Sequence, residues 1–464
     1  MKRERETVHQ RGRLVYQLEE TPPMGRRLLY AMQFVIIFIG SIVLVPMLAA
    51  DDLGWGPEQV TFLLQCAIFT GGIATFVQAK GLGPVGARLP ILLGTTFVVI
   101  TPLVAITTEY GYDAFLGAVI AGGVVYVLLA WFGFRFLRKL FSSTVSGTLV
   151  ISIALTLAPS CADMMAGGSN PVGGGYNGWQ NWVLAVITMG ICLVGHCFGK
   201  GFLKTTSLFF GLATGYILAL VMGVIPFDKV EEAAWISLPR PFTYGVSFHL
   251  QPILIMVVIY LVTAVEFIGD TTATAMVCED RLPTQRELRG GILCDALSSV
   301  LSGVFNFAPN ISYSDGVGII GSTRVASRTV MMTSGVLITL AGLVPKFSAL
   351  LYTMPAPVLG GACLFLTGIM LMAGIEAADP PQFCYHRDIS GGWDWVRVQR
   401  CFGTGASAGT YPVQRDSWNC VDRGISQPGV AIKSLIFPPC LDKSPFPQWI
   451  PLGERAFWVV VSWD

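Results

Sequence analysis

Charge is what this chain has least of. Asp, Glu, Lys and Arg make up 13% of its 464 residues, about half the share of a soluble domain. Histidine is rarer still. The four histidines (His9, His196, His249, His386) lie far apart, and no metal-ligand spacing appears. No basic patch with interleaved aromatics is present and the net charge is only +1, so a nucleic-acid partner is not expected. The 11 cysteines form no disulfide framework; they are scattered, mostly inside apolar runs, and read as buried thiols. No cofactor motif is found, and no cofactor is expected. A cleavable signal is also missing: residues 1–27 are polar and basic, and the apolar run after them is too long for a signal core.

What remains is apolar. Hydrophobic residues make up 53% and the mean hydropathy is +0.62. Several windows run past ~18 residues almost without charge, the mark of a polytopic, all-α protein of the lipid bilayer. Candidate spans are 28–50, 58–79, 90–107, 113–134, 143–164, 180–198, 203–225, 251–276, 288–306, 311–322, 329–345 and 356–375. Lys and Arg sort the connections. The N-terminal segment is basic, and so is every second loop: Lys80 and Arg88; Arg135, Arg138 and Lys139; Lys200 and Lys204; Arg281, Arg286 and Arg289; Arg324 and Arg328. The loops between them are poor in both. The positive-inside rule places the N-terminus and the basic loops in the cytoplasm, in a cell-membrane protein.

Two spans are short and interrupted. "PILLGTTFVVITP" (residues 90–102) has Gly94 and two hydroxyls at its centre, and "PNISYSDGVGIIGST" (residues 309–323) is polar and glycine-rich. They lie about 220 residues apart, as do the first and eighth spans. Paired interrupted segments at matching positions point to a seven-plus-seven inverted-repeat transporter. The repeat predicts two more spans near 401–446. Instead, residues 379–464 are polar, rich in Arg, Gly and Pro, and hold six of the 11 Trp. The last two spans are lacking. A soluble tail and a reading-frame shift near residue 376 both fit this, and the composition favours the shift.

At the start of the second half, "VEFIGDTTATA" puts Glu266 and Asp270 four residues apart in an apolar run. Two carboxyls one helical turn apart at membrane depth mark a site, since such groups are costly there. Four stretches now carry a resemblance over about three quarters of the chain: "MQFVIIFIGSIVLVP", "LPILLGTTFVVITP", "VEFIGDTTATA" and "DGVGIIGSTRVASR". They resemble the nucleobase–ascorbate transporter family, in its bacterial xanthine and uracil permease branches. In the last stretch Gly318, Thr323 and Arg324 fit the family signature, whereas Asp315-Gly316 stands where Gln or Glu followed by Asn is usual. Phe34 follows Gln33 where His is common.

The resemblance implies a core of spans 1–4 (28–134) and 8–11 (251–345) that rocks against a gate of spans 5–7 (143–225) and 12 (356–375). It implies import of a nucleobase by proton symport, with Na+ not excluded as coupling ion, a purine such as xanthine or uric acid ahead of uracil, and a homodimer in intact relatives. Glu266 then accepts ring N–H groups and carries the proton, with Asp270 as its partner and Asp295 as a third acid. Thr95, Thr96, Asp315 and Gly316 head the interrupted segments and face ring carbonyls with free N–H groups. Phe97 stacks on the ring, and Gln33 and Phe34 border it. Two alternatives stand beside this reading: a truncated product that does not transport, and, remotely, an intramembrane aspartyl protease using Asp270 with Asp295 or Asp315.

Overall fold

The structure is a computed structural model that describes residues 14–132, 143–168, 171–172, 175–199, 201–225, 228–378, 383–387 and 393–397. The first span opens as α1 (Met24–Ile42) and continues as α2 (Leu44–Leu53). Then come α3 (Pro57–Lys80), which carries proline in its first turn where no N–H is needed, and the first interrupted segment. That segment is a strand, β1 (Leu93–Thr95), a 3-10 turn (Phe97–Val99) and α4 (Ile100–Tyr110). The first half closes with α5 (Tyr112–Phe132), α6 (Ser143–Ala166), α7 (Trp179–Phe198), the short α8 (Phe202–Thr205) and α9 (Ser207–Val221).

After a short α10 (Asp228–Glu232), the second half begins with α11 (Leu250–Glu279), a 30-residue helix. The next helix, α12 (Gln285–Val304), starts at a reciprocal cap: the Thr284 hydroxyl accepts from the Glu287 N–H, and the Glu287 carboxylate accepts from the Thr284 N–H. The second interrupted segment is β2 (Asn310–Ser312) followed by α13 (Asp315–Thr323). Then follow α14 (Arg328–Gly342), α15 (Pro345–Tyr352) and α16 (Ala356–Ala378). Beyond them only two paired strands are described, β3 (Phe383–Arg387) and β4 (Trp393–Arg397). The region near 401–446, where the repeat predicts two more spans, lies outside the described residues.

Six described helices are long and apolar enough to cross a membrane, or seven if α14 and α15, bent by 83°, count as one. The sequence reading expects twelve spans. The difference lies in length and composition: α4, α13, α9 and the apolar part of α6 (Val150–Ala166) are too short alone, and α12 carries Arg286, Glu287, Arg289 and Asp295. Of the interrupted parts, β1, β2 and most of α12 are buried in protein, where polar and interrupted backbone is tolerated. Packing follows two groups. The helix α3 packs on α14, and α5 on α11 and α12; α6 packs on α16, and α7 on α9 and α16.

One further element joins the second interrupted segment. Residues 15–20 run beside residues 324–328. The Val15 N–H donates to the Arg324 carbonyl (2.8 Å), Ala326 to Tyr16 (3.0 Å) and Arg328 to Leu18 (3.0 Å). The Arg328 guanidinium also pairs with Glu19.

Candidate functional site

The interrupted segments meet. β1 and β2 pair antiparallel, Leu93 with Ser312, Gly94 with Ile311 and Thr95 with Asn310, so the two halves are hydrogen-bonded at the repeat's own spacing. An all-α reading misses this small sheet. It forms because extended backbone inside an apolar bundle has no water to satisfy it. Its edges are covered too. The Leu93 N–H donates to Thr75 Oγ1 (3.0 Å), whose hydroxyl returns to the Leu93 carbonyl (3.2 Å). Ser299 Oγ donates to the Asn310 carbonyl (3.1 Å), and Tyr313 Oη to the Thr95 carbonyl (3.0 Å). Gly94 allows the crossing: a Cβ there would sit 2.5 Å from the Tyr313 ring.

The half-helices start at this sheet. Thr96 caps the first, its hydroxyl accepting the Val98 N–H at 3.2 Å. Ser314 precedes the second, which opens with Asp315. The site acids gather on the same side. Asp270, buried on α11, accepts from Ser312 Oγ at 2.5 Å on one oxygen and from Ser314 Oγ at 2.6 Å on the other. It therefore ties α11 to both ends of the β2–α13 junction. Glu266, one turn earlier and half-buried, has no hydrogen-bond partner among the described residues. Asp315 is also half-buried, and Ser41 Oγ of α1 donates to it (3.3 Å).

The other expected residues divide. The 3-10 turn bearing Phe97 packs on α11, and Phe97 is half-buried. Gly316 is buried, and a Cβ there would be in van der Waals contact with Leu92 at 3.5 Å without a clash. Thr95 is buried and its hydroxyl is unpaired, as is Gln33 Oε1. Phe34 is fully packed in the core. Asp295 is fully buried on α12 and takes a hydrogen bond from Tyr126 of α5 (3.1 Å). The signature residues have separable reasons. At Gly318 a Cβ would come within 2.8 Å of Thr205 on α8. Thr323 Oγ1 donates back to the Ile319 carbonyl (2.7 Å), and Arg324 ends α13 in a left-handed conformation, φ 59°. Ser41, Ser312 and Ser314 were not anticipated. Their only trace in the sequence is a hydroxyl inside an apolar or interrupted span.

The model of the permease family that covers xanthine and uracil permeases matches residues 25–386. The chain belongs to this family, the nucleobase–ascorbate transporters. It is 35% identical over 350 residues to the uric acid permease PucJ of Bacillus subtilis (75% of this chain, 78% of that one). It is 33% identical over 366 residues to the xanthine permease of the same organism (79% and 83%). Among solved structures, the transmembrane domain of the cyanobacterial bicarbonate transporter BicA aligns with TM-score 0.54 at 16% identity, over 76% of this chain and 94% of that one. This likeness shows the seven-plus-seven inverted-repeat fold and nothing of the substrate. The protein is thus a multi-pass membrane transporter, not an enzyme. The protease alternative falls with that. Asp270, Asp295 and Asp315 each bond to hydroxyls and not to one another.

Proposed function

We propose that this permease imports a purine nucleobase, xanthine or uric acid in class, together with a proton. The observation that carries the reading is the contrast between the two acids of α11. Asp270 has both oxygens taken by Ser312 and Ser314, while Glu266 stands half-buried and unpartnered beside the crossing. A lone carboxyl at membrane depth is costly as an anion. A ring N–H of the base or a proton relieves that cost, and one group meeting both links their binding. The positive N-terminal ends of the two half-helices favour ring carbonyls, although the N–H groups of Thr96, Val98, Gly316 and Val317, expected to be free, are bonded within the protein. The face of Phe97 supplies stacking. The names of the relatives support a purine.

In this reading the N-terminus and the basic loops are cytoplasmic, and α1–α5 with α11–α15 move against α6–α9 and α16. The test is uptake of labelled xanthine and uric acid by cells lacking their own permeases. Proton-dependent uptake that falls at least about 100-fold in Glu266→Gln is expected. Unchanged uptake in that variant would sink the proposed role of Glu266.

A second reading is favoured by one observation. Residues 379–464 have neither span that the repeat requires. We propose that this segment is read out of frame, so the gate is cut short and the chain binds its base without moving it. Resequencing decides the point: a single-base correction should restore two apolar spans, and failure to do so overturns the idea.

A further inference from the structure

Two thiols meet where α6 packs on α16. Cys161 of α6 and Cys363 of α16 are both buried, and the Cys161 thiol donates to the Cys363 sulfur at 2.7 Å. Other buried cysteines face backbone instead: Cys192 turns to the Leu208 carbonyl and Cys294 to that of Ala74.

The backbones hold this pair together. At Gly360 an added Cβ would lie 2.6 Å from the Met165 nitrogen and 2.9 Å from the Cys161 carbonyl oxygen. At Gly374 it would lie 2.8 Å from the Ile151 side chain and 3.0 Å from the Gly147 carbonyl oxygen. The helices therefore touch main chain to main chain on both sides of the cysteines, the close approach that small residues allow in a membrane. Gly360, Cys363 and Thr367 share one face of α16. The Thr367 hydroxyl donates to the Cys363 carbonyl (2.8 Å) and lies 3.6 Å from Cys161 Sγ. With the helices in backbone contact the sulfurs cannot drift apart, and joining them needs only rotation of two short side chains. Placement favours oxidation as well. Cys161 lies near the end of α6 and Cys363 near the start of α16. In the orientation proposed above, both of those ends lie away from the cytoplasm, on the side where disulfides form and persist.

We propose that Cys161 and Cys363 are a redox-active dithiol, and that a peroxide converts them to a disulfide fastening α6 to α16. One thiol attacks a peroxide oxygen. The O–O bond breaks, the thiol proton leaves with the departing oxygen as water, and the sulfur becomes a sulfenic acid. The second sulfur then attacks the first. The S–S bond forms, and the sulfenic oxygen leaves with the second thiol proton as another water. Two electrons pass from the thiol pair to the peroxide. Peroxide is small and uncharged, which suits a pair closed to larger reagents. The bond joins residues 202 positions apart, one in each half of the repeat. A cross-link over so long a loop removes much freedom from the unfolded chain. Both helices belong to the proposed gate, so the link steadies that part without joining it to the core.

The test uses the full chain, purified in detergent and treated with hydrogen peroxide. Free thiols are then alkylated under denaturing conditions, and the digested peptides are mapped by mass spectrometry. Cys197, which is exposed, reports that the oxidant is active. The expected result is a linked pair of peptides carrying Cys161 and Cys363, present after peroxide and lost after dithiothreitol. The thermal-unfolding midpoint of the treated protein should rise by a few degrees and fall back on reduction. Cys161→Ser and Cys363→Ser should each abolish both the linked pair and the reversible rise. Full alkylation of Cys161 and Cys363 at a peroxide concentration that oxidises Cys197 overturns the proposal. A linked pair with no rise in midpoint overturns the fastening role. The mapping needs only the unaltered protein, so a variant that fails to fold leaves it intact. Neither readout needs transport, so a chain that moves no base would defeat the proposed function and still decide this question.

Discussion

The two interrupted segments hold equivalent places in the repeat yet are built from different chemistry. The first, β1 with its 3-10 turn and α4, carries no charge at its crossing end; its one charged residue, Glu109, stands at the far end of α4. Its cap is a neutral threonine, Thr96, and its edge is sealed by Thr75. The second, β2 with α13, starts with a carboxylate, Asp315, and is tied by Ser312 and Ser314 to a second one, Asp270. Symmetry of fold has therefore been kept while the polarity was divided. One arm supplies a fixed neutral wall, and the other supplies charge and the link to α11.

That division can be broken at three places. The largest effect is expected where both arms meet. Gly94→Val puts side-chain atoms into the Tyr313 ring, 2.5 Å from the added Cβ, and should cost at least ~3 kcal/mol of stability or abolish folding. A thermal-unfolding midpoint in detergent checks it, and a midpoint equal to that of the unaltered protein would show that the crossing yields easily. Next comes the charged arm. Ser312→Ala removes one of two bonds to Asp270 and should cost about 2 kcal/mol, as for hydrogen bonds to charged groups. Base affinity should drop with it if the latch holds α13 in place, and a variant that loses stability but no affinity would separate the two roles. The smallest effect belongs to the neutral arm. Thr96→Ala removes a cap worth about 1 kcal/mol. Stability should fall slightly and base affinity little. An affinity loss larger than that of Ser312→Ala would reverse the comparison.

Much of this arrangement is legible in the sequence, for reasons that can be named. Glycine, proline and hydroxyls inside an apolar run mark Pro90–Pro102 and Pro309–Thr323 as interrupted. Two acids four residues apart mark α11 as the helix of the site. Basic loops alternate with neutral ones. What cannot be read is contact between distant residues. The pairing of Gly94 with Ile311 needs the two halves folded on each other, and nothing in either strand names its partner. Ser312, Ser314 and Ser41 look like any other hydroxyls until Asp270 and Asp315 stand opposite them. The expected partnership of Glu266 with Asp270 takes a different form for the same reason. Asp270 turns to the serines, which leaves Glu266 alone. Apolar length marks a candidate span, but it does not say whether a short helix such as α4 or α13 faces lipid or protein.

The strand crossing also bears on how the molecule can move. Sliding β1 past β2, or parting them, would strip backbone groups of partners where no water can replace them, at several kcal/mol for each group exposed. The two half-helices are thereby riveted into one moving part. Whatever motion carries the bound base must then turn both walls of its pocket together.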